Sequence, residues 1–331
     1  MQIDPLEQPV TPARLRRLAH DGHLSADALD RALALAGHTP TLPDWRRFVD
    51  VLLLLLGVAL SLSGVFFFFA YNWADMPRLA KFSLIEGAMV LAVALAAYRG
   101  LGSLAGRVAL LAAAVLVGVL QAVFGQIYQT GADSYLLFLI WALLIAGWVA
   151  IGGYAPLWLL LLVLLNLSLS FYWIQVLGAA DTALFLALAG LNALWLLAWE
   201  FAQGRGIAWV GGRWMPRVVA LTTIMLLVSA TIRYIFASPF EAERDSLLLL
   251  APIIYVLYTL FTLIFYYRYL HDLFMLAAAA LGIIIVATAA GLHITDFRFE
   301  GFLVLSALVV GETAVLLYVL RAVTRRWEAT T

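Results

Sequence analysis

Cysteine is absent from the 331 residues, which excludes disulfides, thiolate metal sites and a cysteine nucleophile. Charge is scarce as well. Only 12% of residues are Asp, Glu, Lys or Arg, against about a quarter in soluble domains. An excess of one sign is also missing, because 20 basic residues balance 20 acidic ones. No basic stripe therefore points to nucleic acid. The signatures of common enzymes are lacking: there is no Walker phosphate loop, no His-Glu-x-x-His and no Gly-x-Ser-x-Gly. The five histidines (His20, His23, His38, His271, His293) form no ligand pair with a carboxylate on one helix. Asp133 beside Ser134 is too little for a nucleophile site. His293, Asp296 and Glu300 read as a solvated loop rather than a metal site. No catalytic group, metal or cofactor is expected.

What is present is apolar: 65% of the chain. A soluble fold of this size needs a polar shell that these residues cannot supply. The start lacks a basic segment followed by a short apolar core and a small-residue cleavage site. No signal peptide is therefore predicted, and the first apolar run, near Phe48, remains as an anchor.

Apolar stretches recur at lengths close to the ~20 residues that cross hydrocarbon. The predicted spans are 49–70, 81–98, 107–125, 135–152, 155–174, 181–201, 217–236, 247–267, 272–290 and 301–320. Runs such as Leu52 to Leu56 and Phe66 to Phe69 do not alternate, which excludes a barrel. Helices satisfy their backbone groups internally, so the expected fold is an all-α polytopic bundle of about ten helices, nine or eleven being the alternatives. Before it, residues 1–47 form a helical hairpin tail. Thr11 caps a helix that starts at Pro12 and ends at Gly22, and Ser25 caps a second, Ala26 to Ala36, closed by Gly37. The expected divisions are 1–47, 48–152, 153–321 and a short tail, 322–331.

With the N-terminus inside, 15 of the 20 basic residues lie on the cytosolic side, among them Arg205, Arg213, Arg217 and Arg268. The outer side receives Arg78, Lys81, Arg233, Arg244 and Arg298, with Asp75, Asp133, Asp181, Glu241, Glu243, Asp245, Asp296 and Glu300. This asymmetry follows the positive-inside rule and predicts cytoplasmic termini. The two halves share no motif and no matched pair of broken helices, which argues against an inverted-repeat transporter.

Two strings are unusual for membrane segments. One is Gly64-Val65-Phe66-Phe67-Phe68-Phe69-Ala70-Tyr71-Asn72-Trp73, followed by Lys81-Phe82. The other is Gly125-Gln126-Ile127-Tyr128-Gln129-Thr130-Gly131-Ala132-Asp133-Ser134-Tyr135, running on into Leu137-Phe138 and Trp141-Ala142-Leu143. With the helical tail they resemble the bacterial predicted membrane proteins classed as domain of unknown function 2157, over residues 10 to 150. The resemblance implies a bacterial inner-membrane protein with no established activity, found with other small membrane proteins as partners.

Polar residues inside membrane segments are costly, so each needs a reason. Glu312, between Gly311 and Thr313, has Leu308, Val309, Val315 and Leu316 as helical neighbours. It makes either an interhelical hydrogen bond, the favoured reading, or a proton- or cation-coupling site. Glu86 snorkels toward a local partner below Lys81. Thr222, Ser229 and Arg233 share a face expected to look into the bundle, where Arg233 is a candidate partner for Glu86. Trp199 and Glu200 read as interface anchors. Gly118, Gln121, Gly125 and Gln129 make one small and polar stripe, suited to close helix packing.

A pocket at the outer mouth is the competing reading. Its candidates are Asn72, Trp73, Gln121, Gln126, Tyr128, Gln129 and Asp133, joined by Trp173, Gln175, Asp181, His293 and Asp296. Aromatic surfaces with a few amides and carboxylates suit a small polar ligand. Interfacial anchoring explains Tyr71, Trp73, Tyr128, Tyr135 and Trp173 equally well. The sequence thus supports a non-enzymatic subunit or scaffold of a membrane complex. The alternative is a small-solute or proton-coupled transporter, or a ligand sensor. A reporter that is active only in the cytoplasm, fused to the carboxyl end, is expected to be active; an inactive fusion with intact expression would reverse the orientation.

Overall fold

The computed structural model describes residues 11–37, 39, 41–72, 76–129, 131, 133–178, 181–238, 240, 245–295 and 299–330. Twelve α-helices run through them: α1 Pro12–His20, α2 Ala26–Leu35, α3 Leu42–Asn72, α4 Arg78–Arg99, α5 Leu104–Tyr128 and α6 Ser134–Gly152. They continue as α7 Ala155–Tyr172, α8 Thr182–Gly204, α9 Trp214–Phe236, α10 Leu250–Phe265, α11 Leu273–Ile294 and α12 Phe299–Thr330. No strand occurs among the described residues. Ten of the helices, α3 to α12, are long and apolar enough to cross a membrane. The chain is a polytopic α-helical membrane protein. All ten expected spans are present, with ends within about four residues of expectation except that the first begins seven residues earlier, at Leu42, and the last runs eight residues further, to Glu328. Two end three residues later than expected because π-helical turns follow them, Trp173–Leu177 after α7 and Tyr266–Leu270 after α10.

The chain divides into two compact units, Met1–Met76 and Pro77–Thr331. In the first, the caps are those the sequence predicts. Thr11 Oγ1 accepts from the Arg14 N–H and Ser25 Oγ from the Ala28 N–H, each at 3.3 Å. Leu15 is the buried residue of this hairpin. The helix α3 follows, and none of its apolar window is buried.

In the second unit consecutive helices pack as antiparallel neighbours from α4 to α12. Lipid tails are as apolar as leucine, so burial alone cannot hold such helices together; close packing and interhelical hydrogen bonds must. Both occur at named places. Trp141 of α6 lies flat over Gly118 of α5, where any Cβ would overlap the indole. The same indole N–H donates to the Ala114 carbonyl at 2.8 Å. Gly282 of α11 admits Ile224 of α9, and Gly291 admits Leu305 of α12. Deep between α7 and α8, the Asn192 amide donates to Asn166 Oδ1 at 2.6 Å and to the Leu188 carbonyl at 2.8 Å. Asn166 donates in turn to the Leu162 carbonyl at 2.8 Å.

Burial is uneven. More than half of the α5 window is buried, but only 6% of the α12 window. The face carrying Thr222, Ser229 and Arg233 does not look into the bundle: Thr222 and Arg233 are exposed, and Val219, Thr223, Ile224 and Leu227 are buried instead. The reason is local. Thr222 and Ser229 each donate to the carbonyl four residues back, at 3.0 and 2.8 Å, so neither hydroxyl needs an interhelical partner. Gly118→Leu is expected to cost about 1–3 kcal/mol by overpacking and to lower the unfolding midpoint in detergent; an unchanged midpoint would remove Trp141 from the α5–α6 contact.

Candidate functional site

The strongest concentration of charge lies where α8, α9 and α11 end or begin, on the side of the bundle that carries the C-terminus. The chain from α8 to α9 makes a short 3-10 turn, Ala208–Val210. Trp209 on that turn stacks on Trp158 at 5.6 Å and meets Trp199 edge-on at 5.6 Å. Val210 is fully buried. This aromatic plug fixes the entry to α9 and with it Arg213.

Arg213 is the hub. Its Nε donates to Asp272 Oδ2 at 2.9 Å, and its Nη1 donates to Glu200 Oε2 at 2.7 Å and to Gln203 Oε1 at 3.0 Å. Arg217, one turn on, forks onto the same aspartate at 3.2 and 3.1 Å. The Tyr266 hydroxyl donates to the second Glu200 oxygen at 2.8 Å. Asp272 also accepts the Phe274 N–H at 3.1 Å and so caps α11. His271 just before it, with φ of +48°, turns the chain out of the π-helical turn. Three helices and two connections are thus tied by one network. Its members carry two positive and two negative charges, which is how buried ions avoid an unpaired desolvation cost.

The electrostatics follow from this geometry. Burial pulls the Asp272 carboxyl upward, but hydrogen bonds from Arg217 and Arg213, with their charges, more than offset it and hold the group below its ordinary value. Burial likewise opposes the Arg213 charge, and Glu200 and Asp272 hold its proton more tightly than usual. One donor is left over: Arg213 Nη2 is buried and has no acceptor.

A cavity of about 1020 Å³ adjoins this network. It lies between α8 and α10, which both pack on α9. Its walls are mainly apolar, and its polar end is made by Glu200, Gln203, Arg213 and Tyr266. Sequence reasoning placed Arg213 and Arg217 in a connection and took Glu200 and Trp199 as interface anchors. The structure corrects this: Glu200 is an ion-pair partner, and Trp199 is 5% exposed. A carboxylate at the end of one span and arginines at the start of the next were a visible signal.

The residues singled out beforehand fall elsewhere. Asn72 ends α3 in the first unit, and Trp73, Asp75, Glu241, Glu243, Arg244, Asp296 and Arg298 lie outside the described residues. Gln126 and Asp133 are exposed, on α5 and at the start of α6. Gln129 and Gly131 take left-handed backbone (φ of +44° and +58°) just after α5 ends at Tyr128. Tyr128 stacks on Phe82 and meets Phe124 at a tilt. Gln121 keeps a buried, unpartnered oxygen.

Among the other outer groups, Trp173 donates to Asp181 at 2.9 Å, and Asp181 caps α8 through the Leu184 N–H. Gln175 accepts the Tyr135 N–H at 3.4 Å. His293 packs edge-on against Phe236. Arg233 stands near Asp245, not in an ion pair with Glu86. Burial raises the Asp245 carboxyl, but the Thr182 and Leu247 N–H groups and Arg233 hold it below its ordinary value. Glu86 is exposed on α4. Glu312 is half-buried on α12 with one unpartnered carboxylate oxygen. No cluster of three His, Asp or Glu suits a metal among the described residues.

Residues 16–158 match the model of the family described as predicted membrane protein (DUF2157). The family resemblance read from the sequence is borne out over that stretch, from α1 into the first turn of α7. No curated protein and no solved structure matches the chain.

Asp272→Asn removes the shared anion from two arginines. A fully buried pair broken this way costs roughly 3–5 kcal/mol; with Arg217 partly exposed, about 2–3 kcal/mol is expected, read as a lower unfolding midpoint. The folded carboxyl lies below its unfolded value of about 3.9. Its stabilising contribution is therefore complete above about pH 5 and fades as pH falls through the folded value. The Asn variant should show a shallower loss of stability between about pH 5 and 3 than the parent; parallel curves would remove Asp272 as the cause.

Proposed function

We propose that this protein is a non-enzymatic subunit or scaffold of a larger assembly in the bacterial inner membrane, with both termini in the cytoplasm. The orientation rests on the arginine asymmetry. The observation that supports a subunit is Glu312. Leu305, Val309, Glu312, Leu316, Leu320, Val323 and Trp327 are the more covered residues of α12, spaced at helical intervals, and they make the seam that packs on α11. Leu305 lies against Gly291 and Leu320 beside Leu273, so Glu312 falls opposite the middle of α11. That stretch, residues 274–287, has no side chain able to hydrogen-bond a carboxylate.

A carboxyl oxygen buried in hydrocarbon, with no partner among the described residues, calls for a donor from a neighbouring helix, here one of another chain. The remaining faces of α12, with Val304, Leu308, Val310, Val315 and Tyr318, are exposed. A partner helix carrying a donor group would complete the site. A carrier that couples Glu312 to the Gln126–Asp133 turn is less well supported. The α5 helix packs on α4, α6 and α7, and α12 packs on α11, so the two groups belong to different helix layers.

Photo-crosslinking residues placed at Val310 and at Tyr318 in intact membranes should each yield a discrete protein adduct. Glu312→Gln should keep the adduct. Glu312→Leu should lower it about three- to thirty-fold, the worth of a membrane hydrogen bond of ~0.6–2 kcal/mol. Lipid adducts alone at both positions would end the proposal.

A further inference from the structure

The cavity between α8 and α10 has a size, a depth and a charge that together suit one kind of occupant. It extends along α8 from Ala193 to Gly204 and along α10 from Tyr258 to Leu270. Eleven residue steps of α-helix advance about 17 Å, close to the ~15 Å depth of one leaflet's hydrocarbon. A spanning helix of a partner needs about twice that length and a channel ~10 Å wide. The volume, about 1020 Å³, sits at the upper end of the roughly 300–1,000 Å³ range of small-molecule sites.

The inner walls are the exposed faces of Leu197, Phe201, Phe261 and Leu270. The charged end lies at the end of the α8 span, where a headgroup would sit. Charge at that end is not fully balanced. Arg213 and Arg217 are matched by Glu200 and Asp272. Arg205 is exposed, lies 4.4 Å over the Phe201 ring, and has no carboxylate partner among the described residues. Arg213 Nη2 still lacks an acceptor. The slot therefore has one unmatched cation beside its Phe201 wall and, in Arg213 at its polar end, a guanidinium with a buried N–H pair still unused.

We propose that this cavity binds a glycerophospholipid of the adjoining leaflet, its acyl chain between α8 and α10 and its phosphate held by Arg205 and Arg213. Phosphate oxygens take the guanidinium hydrogen bonds that no protein group supplies. The bound lipid would bridge α8 and α10, which meet α9 but leave this gap between them.

The test uses the full chain, delipidated in mild detergent and examined by native mass spectrometry. Three probes are added: phosphatidylglycerol, diacylglycerol with the same chains, and glycerol phosphate. Phosphatidylglycerol should bind about tenfold more tightly than diacylglycerol, as a charge-assisted contact worth ~1.4 kcal/mol implies. Glycerol phosphate should not bind measurably. Arg205→Gln should remove several-fold of the phosphatidylglycerol preference and leave diacylglycerol unchanged. Ala193→Phe should lower both lipid adducts by filling the slot, with Leu197→Trp as a second blocking variant where the first fails to fold. Equal binding of the two lipids, binding of glycerol phosphate as strong as that of the lipid, or undiminished adducts in the blocked variants would each overturn the proposal. So would a protein adduct from a photo-crosslinker at Leu197.

Discussion

In hydrocarbon every backbone N–H and C=O must find its partner within the protein, and this constraint governs the whole molecule. It restricts the spans to helices and moves irregular backbone to their ends. Where two spans continue past regular α-helix, they do so as π-helical turns at the close of α7 and α10. Side-chain groups obey the same rule. The Thr222, Thr223, Ser229 and Thr231 hydroxyls all bond to carbonyls of their own helix. A Ser or Thr hydroxyl bonded in this way is already satisfied, so facing outward costs it little.

The same constraint separates the charged groups into kinds. Arg213, Arg217, Glu200 and Asp272 gather at the ends of three helices, where pairing offsets desolvation and the connections are close enough to deliver opposite charges. This network ties α8, α9 and α11 and reaches the end of α10 through Tyr266, and an apolar slot lies between α8 and α10 beyond that contact. Glu312 has no such neighbours, because the facing stretch of α11 is alanine, leucine, glycine, isoleucine and valine. One pair of carboxylates is locked into the fold, and Glu312 keeps a buried oxygen with no partner among the described residues.

Much of the architecture is legible in the sequence. Ten spans follow from apolar run length alone, because the width of hydrocarbon imposes that length on every crossing helix. The Thr11 and Ser25 caps are equally local, as each side chain bonds three residues on. The small-polar stripe of α5 read correctly as a packing face at Gly118, though not which residue would fill it. The unusual Gln126–Asp133 string begins in the last turn of α5 and passes through left-handed Gln129 and Gly131 before α6, a change of backbone that side-chain chemistry does not announce.

The amino-acid sequence by itself determined the solvent of this protein, the number and length of its helices, and the sign of charge at each helix end. These depend only on neighbours along the chain and on the thickness of the bilayer. Tertiary structure decided which polar groups meet. Glu200 and Asp272 are 72 residues apart yet share Arg213, and Asn166 finds Asn192 across two helices. Helix periodicity names the face of a residue and not the face opposite it, so partners distant in the chain emerge only when the helices are packed.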